Sequence, residues 1–389
     1  MSKKFKFLET KAIHSGEPEP RILGSVVTPI FQTAMFEYDG SPDYNNLKYG
    51  RLSNMPNHEA LHKKLAALEN GERAVVTASG MSAIALSLMT VMEGGGHFLA
   101  QRQAYGGTIS LINNQLPSSG ITCDWIDPQD PSGWAKLLKP ETRAIYTEAM
   151  ANPTMEVADH KAVVAFAKAH GLVSMIDSTF ASPVNFRPLE LGYDLSLHSA
   201  TKYLNGHSDL IAGAAVGNGD LVERIHHKLN IFGACLDPHA CFLLHRGLRT
   251  LPIRVHFQNE STLAIARFLA SHPLIESVNY PGLESHSGYA RAQELFDGCG
   301  GVLSFVVKGD GSTAESLIKG LQLPIHTFSL GGIETLIVQP SRTTHVTMDP
   351  QEREAIGITD NLIRLSVGLE ATEDLISDFQ QALSRLSAQ

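Results

Sequence analysis

The sequence is poor in cysteine and lacks the glycine-rich motifs of nucleotide-binding proteins. Its 389 residues include 4 cysteines, Cys123, Cys235, Cys241 and Cys299, without CxxC spacing. Four cysteines scattered in this way indicate neither a disulfide framework nor a zinc knuckle. Neither GxGxxG nor GxxxxGKS/T occurs, which argues against a dinucleotide-binding or nucleoside-triphosphate-binding loop. Ser79 lies in ASGMS rather than in GxSxG, which argues against the nucleophile elbow of serine hydrolases.

A basic excess and a long apolar run are also missing. There are 31 Lys and Arg residues against 40 Asp and Glu, a formal net charge of −9, whereas a nucleic-acid-binding protein needs a basic surface. No apolar stretch reaches the roughly 18 residues of a membrane-spanning helix. The basic start MSKKFKFLETK is not followed by the apolar segment of a secretory signal. We therefore expect a cytoplasmic, enzyme-sized protein that binds neither nucleic acid nor membrane, and a chain of this length predicts two domains.

Strand and helix patterns alternate after a first segment rich in turn-forming residues. Residues 1–54 predict an extended N-terminal arm. Short apolar runs predict strands at 74–80, 97–101, 143–150, 172–177, 194–200 and 210–217, and helical spacing predicts helices at 58–69, 82–92 and 161–171. This alternation predicts an α/β large domain over residues 55–250, with a mostly parallel sheet and a ligand site at the carboxyl ends of its strands. Residues 251–389 predict a smaller α+β domain, with helices at 261–272 and 371–386 and a strand at 301–307.

One stretch matches a zinc-binding pattern. His58-Glu59-Ala60-Leu61-His62 is a literal HExxH on a predicted helix, and in metalloproteases the two histidines of this motif bind zinc while the glutamate acts as the base. No third ligand follows at a recognisable spacing. A chance match on a solvated helix face is therefore the favoured interpretation, and a zinc hydrolase is a distant alternative.

Lys202 follows a predicted buried strand and precedes a glycine-containing loop. Burial disfavours an ammonium group, and the resulting fall in pKa makes the amine a nucleophile toward a carbonyl. The hydroxyls of Ser199 and Thr201 are suited to phosphate, as are the backbone N–H groups where residues 79–81 open a helix. Asp177 ends another predicted strand, where its carboxylate could pair with a protonated ring nitrogen. Pyridoxal phosphate (PLP) requires this combination, although such a lysine taken alone is more often an exposed turn residue.

The chain resembles, over nearly its whole length, the trans-sulfuration (Cys/Met metabolism) branch of fold-type I PLP-dependent enzymes. The motifs that carry the resemblance are TPIFQTAMF (28–36), YGRLSN, TASGMSAI, AYGGT, ANPTMEVAD, IDSTFASP, HSATKYLNGHSDLIAG, SLGGIETLIVQPSRTTH and NLIRLSVGLE (361–370). The branch includes cystathionine γ-synthase, cystathionine γ- and β-lyases, methionine γ-lyase and homoserine-ester sulfhydrylases. The resemblance implies the fold-type I architecture, PLP as cofactor, a small amino-acid substrate and a homo-oligomer, by family habit a dimer of dimers.

The resemblance also implies a role for each matching residue. Lys202 would be the Schiff-base lysine that shuttles protons, Tyr105 would stack on the ring and act as a general acid, and Asp177 would pair with the pyridine nitrogen. Further cofactor contacts would come from Gly80, Met81, Thr179, Ser199 and Thr201, and from Tyr49 and Arg51 of a neighbouring subunit. The substrate would be bound by Asn152, Ser329 and Arg364 at its α-carboxylate, and by Phe328, Thr344 and Lys48. For Arg364 the alternative is a surface salt bridge.

Several positions depart from the commonest family members. Lys48 stands where cystathionine-handling members have an acidic residue, Phe328 where glutamate usually precedes SLGG, and Ser110 where γ-lyases of that type have arginine. Gly107 replaces the cysteine of methionine γ-lyases, and Arg342 replaces a small residue. The first three changes remove groups that would grip the distal amino acid of cystathionine. Lys48 would bind an anionic leaving group or be a solvated arm residue.

The sequence therefore predicts a PLP-dependent lyase or synthase. The expected reaction is γ-elimination or γ-replacement on an L-amino acid derived from homoserine or homocysteine. Within the same fold, the alternative is a β-lyase that acts on a sulfur amino acid. A non-catalytic PLP-binding protein is a distant alternative.

Overall fold

The computed structural model describes residues 5–38, 40, 47–344, 346 and 348–387. Among these residues, a seven-stranded sheet has the order β1-β7-β6-β5-β4-β2-β3. Its strands are β1 (Arg73–Thr77), β2 (Gly96–Gln101), β3 (Ile121–Ile126), β4 (Thr142–Glu148), β5 (Val173–Asp177), β6 (Leu195–Ser199) and β7 (Gly213–Gly217). Strand β7 runs antiparallel to both of its neighbours, and the other pairs are parallel. The predicted mostly parallel sheet is confirmed.

A second sheet lies in the C-terminal part of the chain. Within the described residues it has five strands in the order β10-β11-β12-β9-β8. They are β8 (Ile275–Asn279), β9 (Val302–Val307), β10 (Ile325–His326), β11 (Leu336–Val338) and β12 (Leu362–Ser366). Strands β10 and β11 pair in parallel and the other neighbours are antiparallel. The α/β fold class is thereby confirmed, while the division into an arm (1–54), a large domain (55–250) and a C-terminal domain (251–389) stays a prediction.

Fourteen α-helices are found in the described residues. They are α1 (Leu8–His14), α2 (Pro56–Glu69), α3 (Gly80–Val91), α4 (Gly106–Ser110), α5 (His160–His170), α6 (Ser182–Asn185), α7 (Pro188–Leu191), α8 (Gly219–Phe232), α9 (Pro238–Leu248), α10 (Leu251–Ser271), α11 (Tyr289–Leu295), α12 (Gly311–Gly320), α13 (Pro350–Ala355) and α14 (Thr372–Ser387). The side chain of Asp159 caps α5 by accepting a hydrogen bond from the N–H of Ala162, and Gly171 ends that helix with a φ of +63°. None of the helices in the described part of the chain is long and apolar enough to span a bilayer.

Strand β3 and helix α1 are two of the elements that the sequence patterns did not predict. Strand β3 was not predicted because only its end residues, Ile121 and Ile126, are buried, as suits an edge strand with a polar middle. The segment predicted as an extended arm contains helix α1, whose Ala12 is buried. The buried ammonium of Lys64 on α2 donates to the carbonyl of Ala12 at 2.7 Å and lies 3.6 Å from the carboxylate of Glu17. These contacts hold the start of the chain against α2.

Candidate active site

A cavity of about 280 Å³ opens at the carboxyl ends of β4, β5 and β6, beside the beginning of α3. In open α/β sheets this edge is where ligands bind. The predicted site residues that line the cavity are Gly80, Met81, Tyr105, Asn152, Asp177, Thr179, Ser199, Thr201, Lys202, Phe328, Ser329, Thr344 and Arg364. The fold thus brings together residues that lie as far apart in the sequence as 80 and 364.

Lys202 lies in the turn that follows β6, and its side chain reaches across the cavity. Its Nζ donates a hydrogen bond to Oγ of Ser329 at 2.6 Å. Burial is the main cause that lowers the pKa of Lys202 to about 8, and the positive charge of Arg364 is the second cause. An amine with this pKa is deprotonated far more often at neutral pH than an ordinary lysine, which makes it a competent nucleophile and base. Ser329 has a φ of +131°, which is uncommon for a residue other than glycine.

Asp177 is held in place at the end of β5. Its Oδ1 accepts a hydrogen bond from the backbone N–H of Thr179 at 2.9 Å. Oγ1 of Thr179 in turn accepts from the N–H of Ser199 at 2.8 Å, so the ends of β5 and β6 are tied together. Burial raises the pKa of Asp177, and the hydrogen bonds from Thr179 oppose that rise. The carboxylate is suited to a cationic partner in the cavity.

The beginning of α3 approaches the end of β6 very closely. A Cβ added to Gly80 would lie 2.8 Å from Cβ and 3.0 Å from Oγ of Ser199, so only glycine fits there without displacement. Ser79 caps the helix by accepting from the N–H of Ser82. The free N–H groups of this first turn are suited to an anion, and Ser199 lies beside them. Thr201 also lines the cavity, with its hydroxyl donating to the carbonyl of Ala212.

Arg364 lies in the middle of β12 and is 3% exposed. Nη1 donates to Oδ1 of Asn152 at 3.0 Å, and Nη2 donates to the carbonyl of Ser329 at 2.9 Å. Nε is buried without a partner, and no carboxylate among the described residues forms an ion pair with the guanidinium. Burial lowers the pKa of Arg364 to about 10. The alternative of a surface salt bridge is wrong, because Arg364 is buried and has no carboxylate partner among the described residues. Such a cation is suited to an external carboxylate.

One acidic residue of the cavity escaped the sequence analysis. Glu148, the last residue of β4, lines the cavity and is 5% exposed. Its Oε1 accepts a hydrogen bond from the backbone N–H of Tyr105 at 2.6 Å. The available signal was its position at the end of a buried parallel strand, the same position that drew attention to Asp177.

Lys48, Tyr49 and Arg51 are not among the residues that line this cavity. Nζ of Lys48 pairs with Oε1 of Glu59 at 2.7 Å, with both side chains partly exposed. Nη1 of Arg51 donates to the carbonyl of Asn230 at 2.6 Å, and its guanidinium lies over the ring of Tyr49. The roles expected for Tyr49 and Arg51 across a subunit interface, and for Lys48 at a substrate, stay predictions.

The HExxH stretch falls on α2 and is used for packing. Nε2 of His58 donates to the carbonyl of Leu236 at 2.7 Å, and burial lowers the pKa of His58 and that of His62. Glu59 is paired with Lys48. In the part of the chain that the structure describes, no group of three or more His, Cys, Asp or Glu side chains is arranged to hold a metal ion. The zinc-hydrolase alternative therefore finds no support here.

The donor set of the cavity suits PLP. It combines an amine of lowered pKa, a carboxylate at a strand end and the N-terminus of a helix whose first residue, Gly80, has no room for a Cβ. These groups would hold the aldehyde, the ring nitrogen and the phosphate of PLP, respectively. A separate buried guanidinium is left for the carboxylate of an amino acid. The residues present therefore fit the cofactor.

Comparisons with known proteins agree with this assignment. The family model described as Cys/Met metabolism PLP-dependent enzyme matches residues 9–384. A cystathionine β-lyase of Bacillus subtilis (strain 168) is 38% identical over 100% of this chain and 99% of its own length. An L-methionine γ-lyase of Treponema denticola is 37% identical over 97% of this chain and 96% of its own length.

A solved structure is also similar over the whole chain. The cystathionine γ-synthase of Xanthomonas oryzae pv. oryzae, in complex with aminoacrylate and cysteine, has a TM-score of 0.94 at 35% identity, and the match covers 99% of each chain. The predicted family, fold and cofactor are confirmed. The chain belongs to the Cys/Met metabolism family of PLP-dependent enzymes and is one of its lyases or synthases.

Proposed function

We propose that this enzyme catalyses γ-elimination or γ-replacement on an L-amino acid derived from homoserine or homocysteine. The preferred substrate carries a single amino-acid head group and a neutral γ-substituent, such as a thiol, a thioether or an uncharged ester. The relatives named L-methionine γ-lyase, which are 37% to 38% identical to this chain, support γ-chemistry.

The charges of the cavity carry this proposal. Among the described residues that line it, the acidic and basic side chains are Glu148, Asp177, Lys202 and Arg364. Arg364 is suited to one α-carboxylate, and the other cation, Lys202, is needed for proton transfer. A substrate with a second amino-acid head group, such as cystathionine, would leave its distal carboxylate without a partner, which is costly in a desolvated site.

Apolar side chains form the remaining wall. Ile84, Met150, Ile211 and Phe328 line the cavity, and Phe328 is 69% exposed at its mouth. Such a wall favours a hydrocarbon or sulfur substituent over a charged one. In this proposal, Phe328 contacts the substrate as part of the apolar surface.

The side chains of the chain itself then have defined tasks. Arg364, held by Asn152 and by the Ser329 carbonyl, binds and orients the α-carboxylate. Lys202, with a pKa of about 8, takes the proton from the substrate Cα and moves a proton at Cβ. Bound PLP supplies the electron sink that stabilises negative charge on the substrate. Tyr105, at the opening of the cavity, protonates the leaving group as a general acid.

A β-lyase is the second candidate. The Bacillus cystathionine β-lyase is 38% identical to this chain, and cystathionine β-lyases of Lactococcus lactis are 37% identical. The same groups at the α-carboxylate and Cα would serve this reaction. The two candidates differ in the bond that is cleaved, and therefore in the product.

Product analysis tests the proposal. The PLP-loaded enzyme is supplied separately with L-methionine, L-homocysteine, O-acetyl-L-homoserine and L-cystathionine, and 2-oxobutyrate and pyruvate are quantified by mass spectrometry, with and without an added thiol. We expect 2-oxobutyrate, or the thiol adduct, from a single-headed substrate, with kcat/KM at least about tenfold above that for cystathionine. Pyruvate from cystathionine as the main product would replace this proposal with the β-lyase. Lys202→Ala is the control without turnover.

A further inference from the structure

Glu148 is a buried acid that the proposed chemistry does not use. It ends β4 next to Asp177, the end of β5, because the two residues are partners in the parallel register. Its side chain lines the cavity, yet no Lys, Arg or His among the described residues forms an ion pair with it. A buried carboxyl without a cationic partner either becomes neutral or carries a large desolvation cost.

The contacts of Glu148 are directed at the segment that carries Tyr105. Oε1 of Glu148 accepts from the backbone N–H of Tyr105 at 2.6 Å. The backbone N–H of Glu148 donates to Oε1 of Gln101 at 2.8 Å, and Nε2 of Gln101 donates to the carbonyl of Gln103 at 2.5 Å. Residues 103 and 105 are therefore both tied to the end of β4. These ties fix the backbone that carries Tyr105, a residue that is itself 46% exposed.

The two neighbouring carboxyls differ in the donors that face them. Oδ1 of Asp177 accepts from the backbone N–H of Thr179, and the side chain of Thr179 and the imidazole of His198 also lower the pKa of Asp177, against the effect of burial. In the described part of the chain, the only hydrogen bond to the Glu148 carboxyl comes from the backbone N–H of Tyr105. Burial and the charge of Asp177 raise the pKa of Glu148 well above its usual range. Two close carboxylates cannot both ionise cheaply, and the donors assign the charge to Asp177.

The other titratable groups near Glu148 do not reverse this assignment. Tyr146 lies two residues earlier on β4, and burial, with the charge of Asp177, raises the pKa of its phenol well above its usual range, so the phenol stays neutral. Lys202 and Arg364 are the cations of the cavity, and their hydrogen bonds go to Ser329 and Asn152. Tyr105 meets Glu148 through its backbone N–H.

We propose that Glu148 is a positioning residue that works as a neutral carboxylic acid, holding the Tyr105 segment while Asp177 remains the single ionised carboxylate beside the cofactor ring. This inference rests on the proposed placement of PLP against Asp177 and Tyr105. It does not depend on the choice of substrate. It follows that PLP binding does not need an ionisable group at position 148, whereas it does need a hydrogen-bond acceptor there.

A matched set of variants tests both parts. Glu148→Gln is isosteric with the neutral acid and keeps an oxygen for the Tyr105 N–H, Glu148→Ala removes the acceptor, and Asp177→Asn neutralises the neighbouring carboxylate. PLP affinity of each apoenzyme is measured by absorbance titration, and folding is checked by thermal unfolding. We expect Glu148→Gln to bind PLP within about threefold of the parent, Glu148→Ala roughly three- to tenfold more weakly, and Asp177→Asn about tenfold or more weakly.

The protonation state is read directly by infrared difference spectroscopy. In protein labelled with ¹³C-glutamate, the Glu148→Gln difference spectrum at neutral pH should lose a protonated carboxyl C=O band and no carboxylate band. A lost carboxylate band, or PLP binding by Glu148→Gln as weak as that of Asp177→Asn, would overturn the neutral acid. Unchanged PLP binding in Glu148→Ala would overturn the positioning role. Neither readout uses an amino-acid substrate, so both stand apart from the product analysis that tests the proposed function.

Discussion

Replacing Arg364 is the sharpest test of how the enzyme selects an amino acid. Two of its N–H groups are committed to Asn152 and Ser329, which leaves the buried Nε–H and the second proton on each terminal nitrogen for a ligand. With no carboxylate partner in the described part of the chain, the guanidinium is prepared for the α-carboxylate of the substrate. A bidentate, charge-assisted contact of this kind is specific in geometry as well as strong.

The expected loss follows from the hydrogen bonds removed. A hydrogen bond to a charged group contributes about 1.5–3 kcal/mol, so Arg364→Leu, which removes two, should lower kcat/KM by about a hundred- to ten-thousandfold. Arg364→Lys keeps the charge without the fork and should fall between Leu and the parent. The loss should appear mainly in KM, because the α-carboxylate is present in both the ground state and the transition state.

Steady-state kinetics with the preferred substrate measures both variants, and PLP titration shows that the cofactor is still bound. Arg353→Lys is a matched control. Arg353 is also buried and pairs with Asp360, but it does not line the cavity. Its kcat/KM should stay within about twofold of the parent, since it touches no substrate. If Arg364→Leu kept the parent kcat/KM, the carboxylate clamp would be refuted.

Three further predictions concern the cofactor site and the stability of the chain. Because the pKa of Lys202 is lowered to about 8, borohydride trapping of PLP on the apoenzyme should accelerate as the pH rises through 8, and Lys202→Ala should show neither trapping nor turnover. Gly80→Ala should weaken PLP binding and reduce the free energy of unfolding by about 1–3 kcal/mol, because the added Cβ would lie 2.8 Å from Cβ of Ser199; an unchanged PLP titration would contradict the close approach. Burial lowers the pKa of Lys64 to about 8, so the unfolded chain binds more protons than the folded one between this value and the ordinary lysine pKa. Measured by urea unfolding, the free energy of unfolding of the parent should therefore increase by about 2 kcal/mol relative to that of Lys64→Met between about pH 7.5 and 9.5. A difference between the two proteins that does not change with pH would contradict the lowered pKa of Lys64.

Local patterns in the sequence were sufficient for the cofactor end of the site. Lys202 and Asp177 were predicted because each follows a run of apolar residues that forms a buried strand, and the carboxyl ends of parallel strands meet at one edge. The turn expected to bind phosphate was predicted from residues 79–81, since backbone N–H groups at the beginning of a helix can hold phosphate. The roles of Tyr105 and Arg364 came from the family resemblance and not from spacing.

Contacts between distant segments were decided by the tertiary structure alone. Lys48 pairs with Glu59, the glutamate of the HExxH pattern, so two residues that each suggested a site neutralise one another outside the cavity. Lys64 on α2 is buried and donates to the carbonyl of Ala12 on α1, a contact that nothing in the neighbouring sequence indicates.

Glu148 shows the same limit within the active site. Its importance depends on a hydrogen bond to Tyr105 and on standing beside Asp177, and neither follows from its own surroundings in the chain. Periodicity and capping are properties of neighbouring residues, so a sequence determines them by itself. The protonation and pairing of a charged side chain depend on desolvation and on donors supplied by other elements, so only the folded chain decides them.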